Sequence, residues 1–110
     1  MLVENKMSLV ILRSVEGAKV RDAVEEILTR LAWQNIVKPN TKVLLKPNLC
    51  TERPEMIHCA NTSREVVRAV CQVLLSRTSD ITIGESDGAR YTAEQAFENN
   101  GIYDLARELN

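Results

Sequence analysis

Short apolar runs of β-prone residues alternate with amphipathic stretches of helical period, and this alternation limits the fold more than any other feature. The runs are SLVILR at residues 8–13, KVLLK at 42–46 and DITIG at 80–84. Short runs of this composition predict buried strands. Strands that alternate with helices predict a parallel sheet with right-handed crossovers. The sequence therefore predicts an α/β fold of three layers, with a short sheet of about three strands and flanking helices.

Helices are predicted between and after these runs. The first has apolar side chains at helical spacing and charged side chains on its opposite side. Its apolar residues are Val20, Ala23, Val24, Ile27, Leu28 and Leu31. A second helix is predicted to begin at Thr62, because Thr62 and Glu65 match the capping box that satisfies free backbone N–H groups. Farther along, Thr92 and Gln95 form a second such pair, and Gly101 suits a helix end in left-handed conformation before a further short helix.

The composition predicts one globular α/β domain over residues 1–110, and it disfavours two classes of partner. The chain is 45% hydrophobic and 26% charged, with 14 basic and 15 acidic residues. This balance leaves no basic surface for nucleic acid or for an anionic membrane, so neither is predicted as a partner. The apolar run at residues 8–13 is too short for a signal peptide or a membrane span. A cytoplasmic location is therefore predicted.

Three cysteines are predicted to be reduced thiols, because their number is odd, no CxxC pair occurs and no export signal is present. Cys50, Cys59 and Cys71, together with His58, are all residue types that bind metals. Their spacing, with His58 directly before Cys59, matches no usual zinc or iron–sulfur pattern. No metal and no cofactor is therefore predicted on this chain.

Polar residues at the ends of the second and third predicted strands indicate a ligand site. The carboxyl ends of parallel strands lie at one edge of the sheet, where open α/β folds bind their ligands. Lys46 and Asn48 follow the second strand, and Glu85, Ser86 and Asp87 follow the third. These residues are predicted to bind a small anionic or polar molecule. The long connection over residues 47–61 is predicted to be a loop that covers this edge.

Thr62 completes the predicted ligand-binding set, because the N-terminus of a helix attracts anions. Simpler roles stay open for the same residues. Thr62 can act as a helix cap alone, which is worth about 1 kcal/mol. Lys46 and Glu85 can form a surface ion pair worth about 0–1 kcal/mol.

Four segments together resemble the domain of unknown function 362 family. They are VLLKPNL at residues 43–49, Thr62 followed by REVVRAV, ITIGES at 81–86, and AFENNGIYDLA at 96–106. The resemblance implies the amino-terminal part of a longer family domain, and it implies iron–sulfur clusters in the wider family that this chain lacks the cysteines to bind. Three functions therefore stay open: a small-ligand binding domain, a redox-associated module that works with an iron–sulfur domain or partner, and a truncated, non-catalytic assembly piece. Whether the protein is an enzyme is also left open.

Unpaired strand edges predict association. A sheet of about three short strands has two edges with free backbone groups, which another copy or the remainder of a longer family domain can cover. A homodimer or higher oligomer is predicted, formed by edge pairing or by packing of the carboxy-terminal helices.

Overall fold

Two parallel strands and five α-helices make up the part of the chain that the computed structural model describes, residues 8–16, 19–51 and 53–110. The helices are α1 (Val20–Arg30), α2 (Pro54–Ala60), α3 (Arg64–Leu75), α4 (Ala93–Asn99) and α5 (Ile102–Leu109). The strands are β1 (Val43–Leu45) and β2 (Ile81–Ile83), and a short 3₁₀ helix (Trp33–Asn35) follows α1.

The two strands form a parallel pair in which Val43 lies opposite Ile81 and Leu45 lies opposite Ile83. Helix α3 lies between them in the chain and packs against β2, as in a βαβ unit. The predicted α/β class and the parallel sheet are therefore confirmed.

The strand predicted at residues 8–13 was wrong, so the described sheet has two strands rather than three. Leu9, Val10 and Leu12 of this run are exposed to solvent, and Leu12 is 91% exposed. Arg13 at its end forms an ion pair with Glu26 of α1, with 2.8 Å between Nε and Oε2. A β-prone sequence forms a strand where packing against neighbours stabilises it, and that packing is missing here.

The helices cover one face of the strand pair. Val43, Leu45, Ile81 and Ile83 face the helices, whereas Leu44 on the other face is 68% exposed. Helix α1 packs beside α3 and not on the face of Leu44. The described residues therefore form two layers where three were expected.

The core between the helices and the sheet consists of two neighbouring clusters. The larger one joins the loop after β1 to α3, α4 and α5, through Leu49, Val67, Cys71, Ala96, Ile102 and Leu105. The smaller one consists of Trp33 in the 3₁₀ helix with Val73 and Leu74 in α3, and Val24 and Leu28 of α1 pack against it. Leu49 lies in the segment that leaves β1, so the larger cluster fixes the position of that segment relative to the carboxy-terminal helices.

The predicted signals at the start and end of α4 are confirmed. The Thr92 hydroxyl accepts a hydrogen bond from the backbone N–H of Gln95, and the Gln95 side chain accepts one from the backbone N–H of Thr92. Gly101 has a φ of 65°, in the left-handed region that glycine adopts at little cost. It ends α4 and allows α5 to begin at once.

The predicted start of α3 was wrong by one residue. The cap is Ser63, whose hydroxyl accepts a hydrogen bond from the backbone N–H of Val66. Thr62 is bonded to the loop after β1 instead, so its hydroxyl has a different role from the predicted one.

The segment 47–61, predicted to be a loop, contains helix α2. Pro54 occupies the first position of this helix, where its missing N–H is no loss and its fixed φ favours helical backbone. The connection is therefore a folded unit that lies between β1 and α3.

Candidate functional site

Lys46 and Glu85 join the ends of the two strands. The distance from Lys46 Nζ to Glu85 Oε1 is 2.8 Å. The Glu85 side chain is only 6% exposed, whereas the Lys46 side chain is 61% exposed. The structure thus brings these two predicted site residues together at the carboxyl edge of the sheet, with the cation on the outside.

Glu85 also binds the backbone on both sides of the edge. Its Oε1 accepts a hydrogen bond from the N–H of Ser86 at 2.8 Å, and its Oε2 accepts one from the N–H of Leu49 at 3.4 Å. The hydrogen bond from Lys46 is the main cause that lowers the pKa of Glu85, and the two backbone groups add to it against the opposing effect of burial. Glu85 is therefore a charged link between the segments that follow β1 and β2.

Asn48 and Thr62 tie the segment after β1 to the start of α3. The N–H of Thr62 donates to the carbonyl of Asn48 at 2.8 Å, and the N–H of Asn48 donates to Thr62 Oγ1 at 3.0 Å. The side-chain amide of Asn48 donates to the carbonyl of Ala60 at 2.8 Å. These two predicted site residues are thus also brought together, through bonds that hold the backbone around α2.

Asn61 also belongs to this region, although it was not among the predicted site residues. Its Oδ1 accepts hydrogen bonds from the N–H groups of Cys50 and Thr51, at 2.9 and 3.1 Å. Its Nδ2 donates to the carbonyl of Thr51 at 2.8 Å and to Oδ1 of Asn100 at 3.0 Å. Asparagine side chains often replace backbone partners in turns, which is the signal that could have identified it. Asn61 holds both ends of the α2 segment together.

Ser86 and Asp87 lie farther along the segment after β2. Asp87 Oδ1 accepts a hydrogen bond from the N–H of Ala93 at 2.8 Å, at the first residue of α4. A carboxylate at this place satisfies a free N–H of the helix start. Ser86 reaches Glu85 through its backbone, and both Ser86 and Asp87 are exposed. A ligand-binding role for either residue stays a prediction.

A small cleft opens beside Lys46 at the carboxyl end of β1. Its volume is about 200 Å³. The cleft beside Lys46, called the Lys46 cleft below, is lined by Leu45, Lys46, Pro47, Thr62, Val66, Val67 and Val70. The walls of this cleft are almost entirely aliphatic, and Lys46 and Thr62 are the two lining residues whose side chains carry a polar group. This chemistry suits a molecule with a small anionic group and an apolar remainder.

The three cysteines are free thiols. Cys50 and Cys59 are exposed, and Cys71 is buried in the core, where burial raises the pKa of its thiol. Within residues 8–16, 19–51 and 53–110, no three side chains of His, Cys, Asp or Glu are grouped so that they could hold a metal ion. The prediction of a chain without its own cofactor stays a prediction.

Comparison with known proteins identifies the family. Residues 43–110, from the start of β1 to the end of α5, match the family described as domain of unknown function (DUF362). The chain belongs to the DUF362 family. The resemblance inferred from four sequence segments is therefore confirmed, and the matched range contains all six predicted site residues of this DUF362 chain.

A relative of this DUF362 chain is the thylakoid-associated protein sll1697 of Synechocystis sp. The two are 34% identical over 105 residues, which are 94% of this chain and 32% of the relative. The chain thus spans about a third of the length of that relative. No solved structure matches the chain. In the described part of the molecule, every helix is too short or too polar to cross a membrane.

Proposed function

We propose that this DUF362 chain binds a small anionic ligand at the carboxyl ends of its two strands, with Lys46 as the group that meets the negative charge. The observation that carries the proposal is the Lys46 cleft, which opens at the end of β1 with the ammonium group held by Glu85. Open α/β folds bind ligands at this edge of the sheet. A carboxylate with a short apolar chain fits best, because it uses both the ammonium group and the aliphatic walls.

The six predicted site residues divide into two roles in this proposal. Lys46 and Thr62 line the cleft and contact the ligand. The remaining residues hold the surrounding segments through the hydrogen bonds described above: Asn48, Glu85, Ser86 and Asp87.

The ion pair with Glu85 orients Lys46 and uses only some of the hydrogen-bond donors of its ammonium group. An ammonium group has three N–H donors and no acceptor. Glu85 Oε1 accepts one hydrogen bond from the ammonium group. Because the Lys46 side chain is 61% exposed, the other N–H donors remain accessible from solvent. A ligand carboxylate can therefore share the ammonium with Glu85. The binding is expected to weaken with rising salt concentration, because an exposed cation is screened.

Replacement of Lys46 tests the proposal. We expect Lys46→Gln to weaken the binding of a short-chain carboxylate, hexanoate, by about fivefold, because an exposed ion pair is worth up to about 1 kcal/mol. Isothermal titration calorimetry measures the affinity. Lys42→Gln is the matched control, since Lys42 is exposed at the opposite end of β1. Equal affinity of the two variants, or no binding to the unaltered protein, would contradict a ligand site at Lys46.

We also propose that the protein forms a homo-oligomer. Within the described sheet, β2 pairs only with β1, so its second edge has free backbone groups. A groove of 260 Å³ beside β2 reaches Phe97 of α4 and Tyr103 and Leu109 of α5. Pairing of this edge with a second copy satisfies the backbone groups and covers the groove.

Light scattering at micromolar concentration tests the association. We expect a mass of at least twice 12.4 kDa, and we expect Tyr103→Glu to reduce it, because a carboxylate in the groove opposes burial. Arg107→Glu is a control on the exposed side of α5. A monodisperse monomer at 12.4 kDa would show that this edge needs no second copy.

We also propose a cytoplasmic location from the sequence alone, whereas the relative is by its name thylakoid-associated. No feature of the described residues favours the redox-associated module or the truncated assembly piece over ligand binding.

A further inference from the structure

We propose that Arg53 and Arg90 form a second binding site, for a small dianion that carries phosphate or carboxylate groups. The site is a cavity of 400 Å³, called the arginine cavity below, lined by Cys50, Thr51, Arg53, Met56, Ala60, Ala89, Arg90 and Tyr91. It shares no lining residue with the Lys46 cleft. Neither arginine was among the predicted site residues, and the inference does not depend on ligand binding at Lys46.

The arginine cavity lies between the segments that follow the two parallel strands. Arg53 belongs to the segment between β1 and α2, and Arg90 belongs to the segment between β2 and α4. Both segments leave the carboxyl edge of the sheet, where α/β folds bind ligands. A molecule in this cavity therefore contacts both connections at once.

Hydrogen bonds hold the walls of the cavity in place. The Tyr91 hydroxyl donates to the carbonyl of Leu49 at 2.7 Å, and the N–H of Gly88 donates to the carbonyl of Tyr91 at 2.9 Å. On the other wall, Asn61 binds the backbone of Cys50 and Thr51. The bond from Tyr91 to Leu49 connects the two segments, and the other bonds hold each segment in shape, so the cavity is formed before a ligand arrives. A preformed site loses less conformational entropy on binding.

The guanidinium groups of the two arginines that line this cavity are not paired with carboxylates. Among the described residues, the side chains of Arg53 and Arg90 make no hydrogen bond and no ion pair. In the rest of the described chain, Arg30 and Arg77 also form no ion pair, whereas five arginines are paired with carboxylates: Arg13, Arg21, Arg64, Arg68 and Arg107. The two arginines of the cavity are thus able to receive an anion without first losing a protein partner.

The geometry of the guanidinium group indicates the ligand class. Its planar set of donors matches carboxylate and phosphate oxygens in pairs. Two such groups balance two negative charges, which favours a dianion. The cavity volume lies within the range of small-molecule sites. Met56, Ala60 and Tyr91 offer apolar contacts to the rest of the molecule.

Protection of Cys50 from alkylation tests this site in the intact chain. Cys50 lines the cavity, whereas Cys59 is exposed and does not line it, so the second thiol is an internal control. Iodoacetamide labelling is followed at each cysteine by tandem mass spectrometry, with inorganic phosphate, glycerol 3-phosphate or succinate at millimolar concentration. We expect at least one of these dianions to slow the labelling of Cys50 and to leave the rate at Cys59 unchanged.

Variants of the two arginines assign the protection to the cavity. We expect Arg53→Gln and Arg90→Gln each to raise the concentration of dianion needed for half protection about tenfold, because each removes a charge-assisted pair of hydrogen bonds. Arg90→Lys keeps the charge without the paired geometry, so its effect is expected to be smaller. Arg30→Gln is the matched control, since Arg30 is exposed in α1 and does not line the cavity. Thermal unfolding followed by circular dichroism is expected to be the same for all four variants.

The outcomes separate this site from the Lys46 cleft. Protection by the phosphate probes alone, or by succinate alone, supports the site and tells which group it binds. Failure of every probe to protect Cys50 would overturn the proposal. It would also be overturned if protection survives both glutamine variants of the arginines. In that case, loss of protection in Lys46→Gln would place the ligand in the Lys46 cleft.

Discussion

Leu105→Ala is expected to lower the free energy of unfolding by about 2–5 kcal/mol, which is the usual loss when a fully buried leucine is truncated. The Leu105 side chain is 0% exposed and belongs to the larger core cluster. That cluster also contains Leu49, which lies in the segment after β1. The cavity left by the substitution is therefore expected to loosen the ligand edge as well as α5.

Urea unfolding followed by circular dichroism measures the loss. Leu12→Ala removes the same atoms from a side chain that is 91% exposed, so its effect is expected to stay within about 0.5 kcal/mol. Similar losses in the two variants would mean that Leu105 contributes no more to the core than a surface leucine.

The repeating patterns of the sequence were sufficient to predict most of the regular structure. The apolar spacing from residue 20 to 31 predicted α1, and Thr92 with Gln95 predicted the start of α4. Both signals are local, because the residues that form each one lie within a few turns of the same helix. The same holds for Gly101, whose left-handed backbone follows from its own lack of a side chain.

Tertiary context decided the features that the sequence did not predict correctly. The run at residues 8–13 has the composition of a strand but lies in solvent, and nothing local distinguishes it from the run at 80–84. Thr62 resembles a helix cap, yet the segment from Asn48 supplies it with other partners and Ser63 takes the cap. In each case the competing interaction comes from residues distant in the chain.

The candidate sites show the same contrast between local sequence signals and interactions with residues distant in the chain. Lys46 and Glu85 could be placed together because both follow parallel strands, whose carboxyl ends meet at one edge. Arg53 and Arg90 could not, because each belongs to an irregular connection whose path is set by long-range bonds, such as that from Tyr91 to Leu49. Sequence patterns predict the edge of a sheet more readily than the shape of the segments above it.

A second large effect is expected at Glu85. Glu85→Ala removes the partner of Lys46 and leaves the N–H groups of Ser86 and Leu49 without their acceptor. We expect the free energy of unfolding to fall by about 1–3 kcal/mol, because the side chain is 6% exposed and water replaces its hydrogen bonds only in part. Urea unfolding at neutral pH measures the loss. A value near zero would show that Lys46 and Glu85 form an ordinary surface ion pair.

The pH dependence of stability gives an independent measure of the same carboxylate. The pKa of Glu85 is lowered from its ordinary value of 4.5 in the folded chain, so the unfolded chain binds its proton more readily. The stability that this difference contributes is complete above pH 4.5 and is lost as the pH falls through the lower pKa of the folded state. We expect Glu85→Gln to lose less unfolding free energy than the unaltered protein when the pH is reduced from neutral to about 3, as measured by urea unfolding at each pH.

The pKa of Glu108 is also lowered, mainly by its hydrogen bond from Arg68, so Glu108→Gln is the control for a carboxylate on the surface. An acid response of Glu85→Gln equal to that of the unaltered protein would show that the charge of Glu85 does not stabilise the joined ends of the strands.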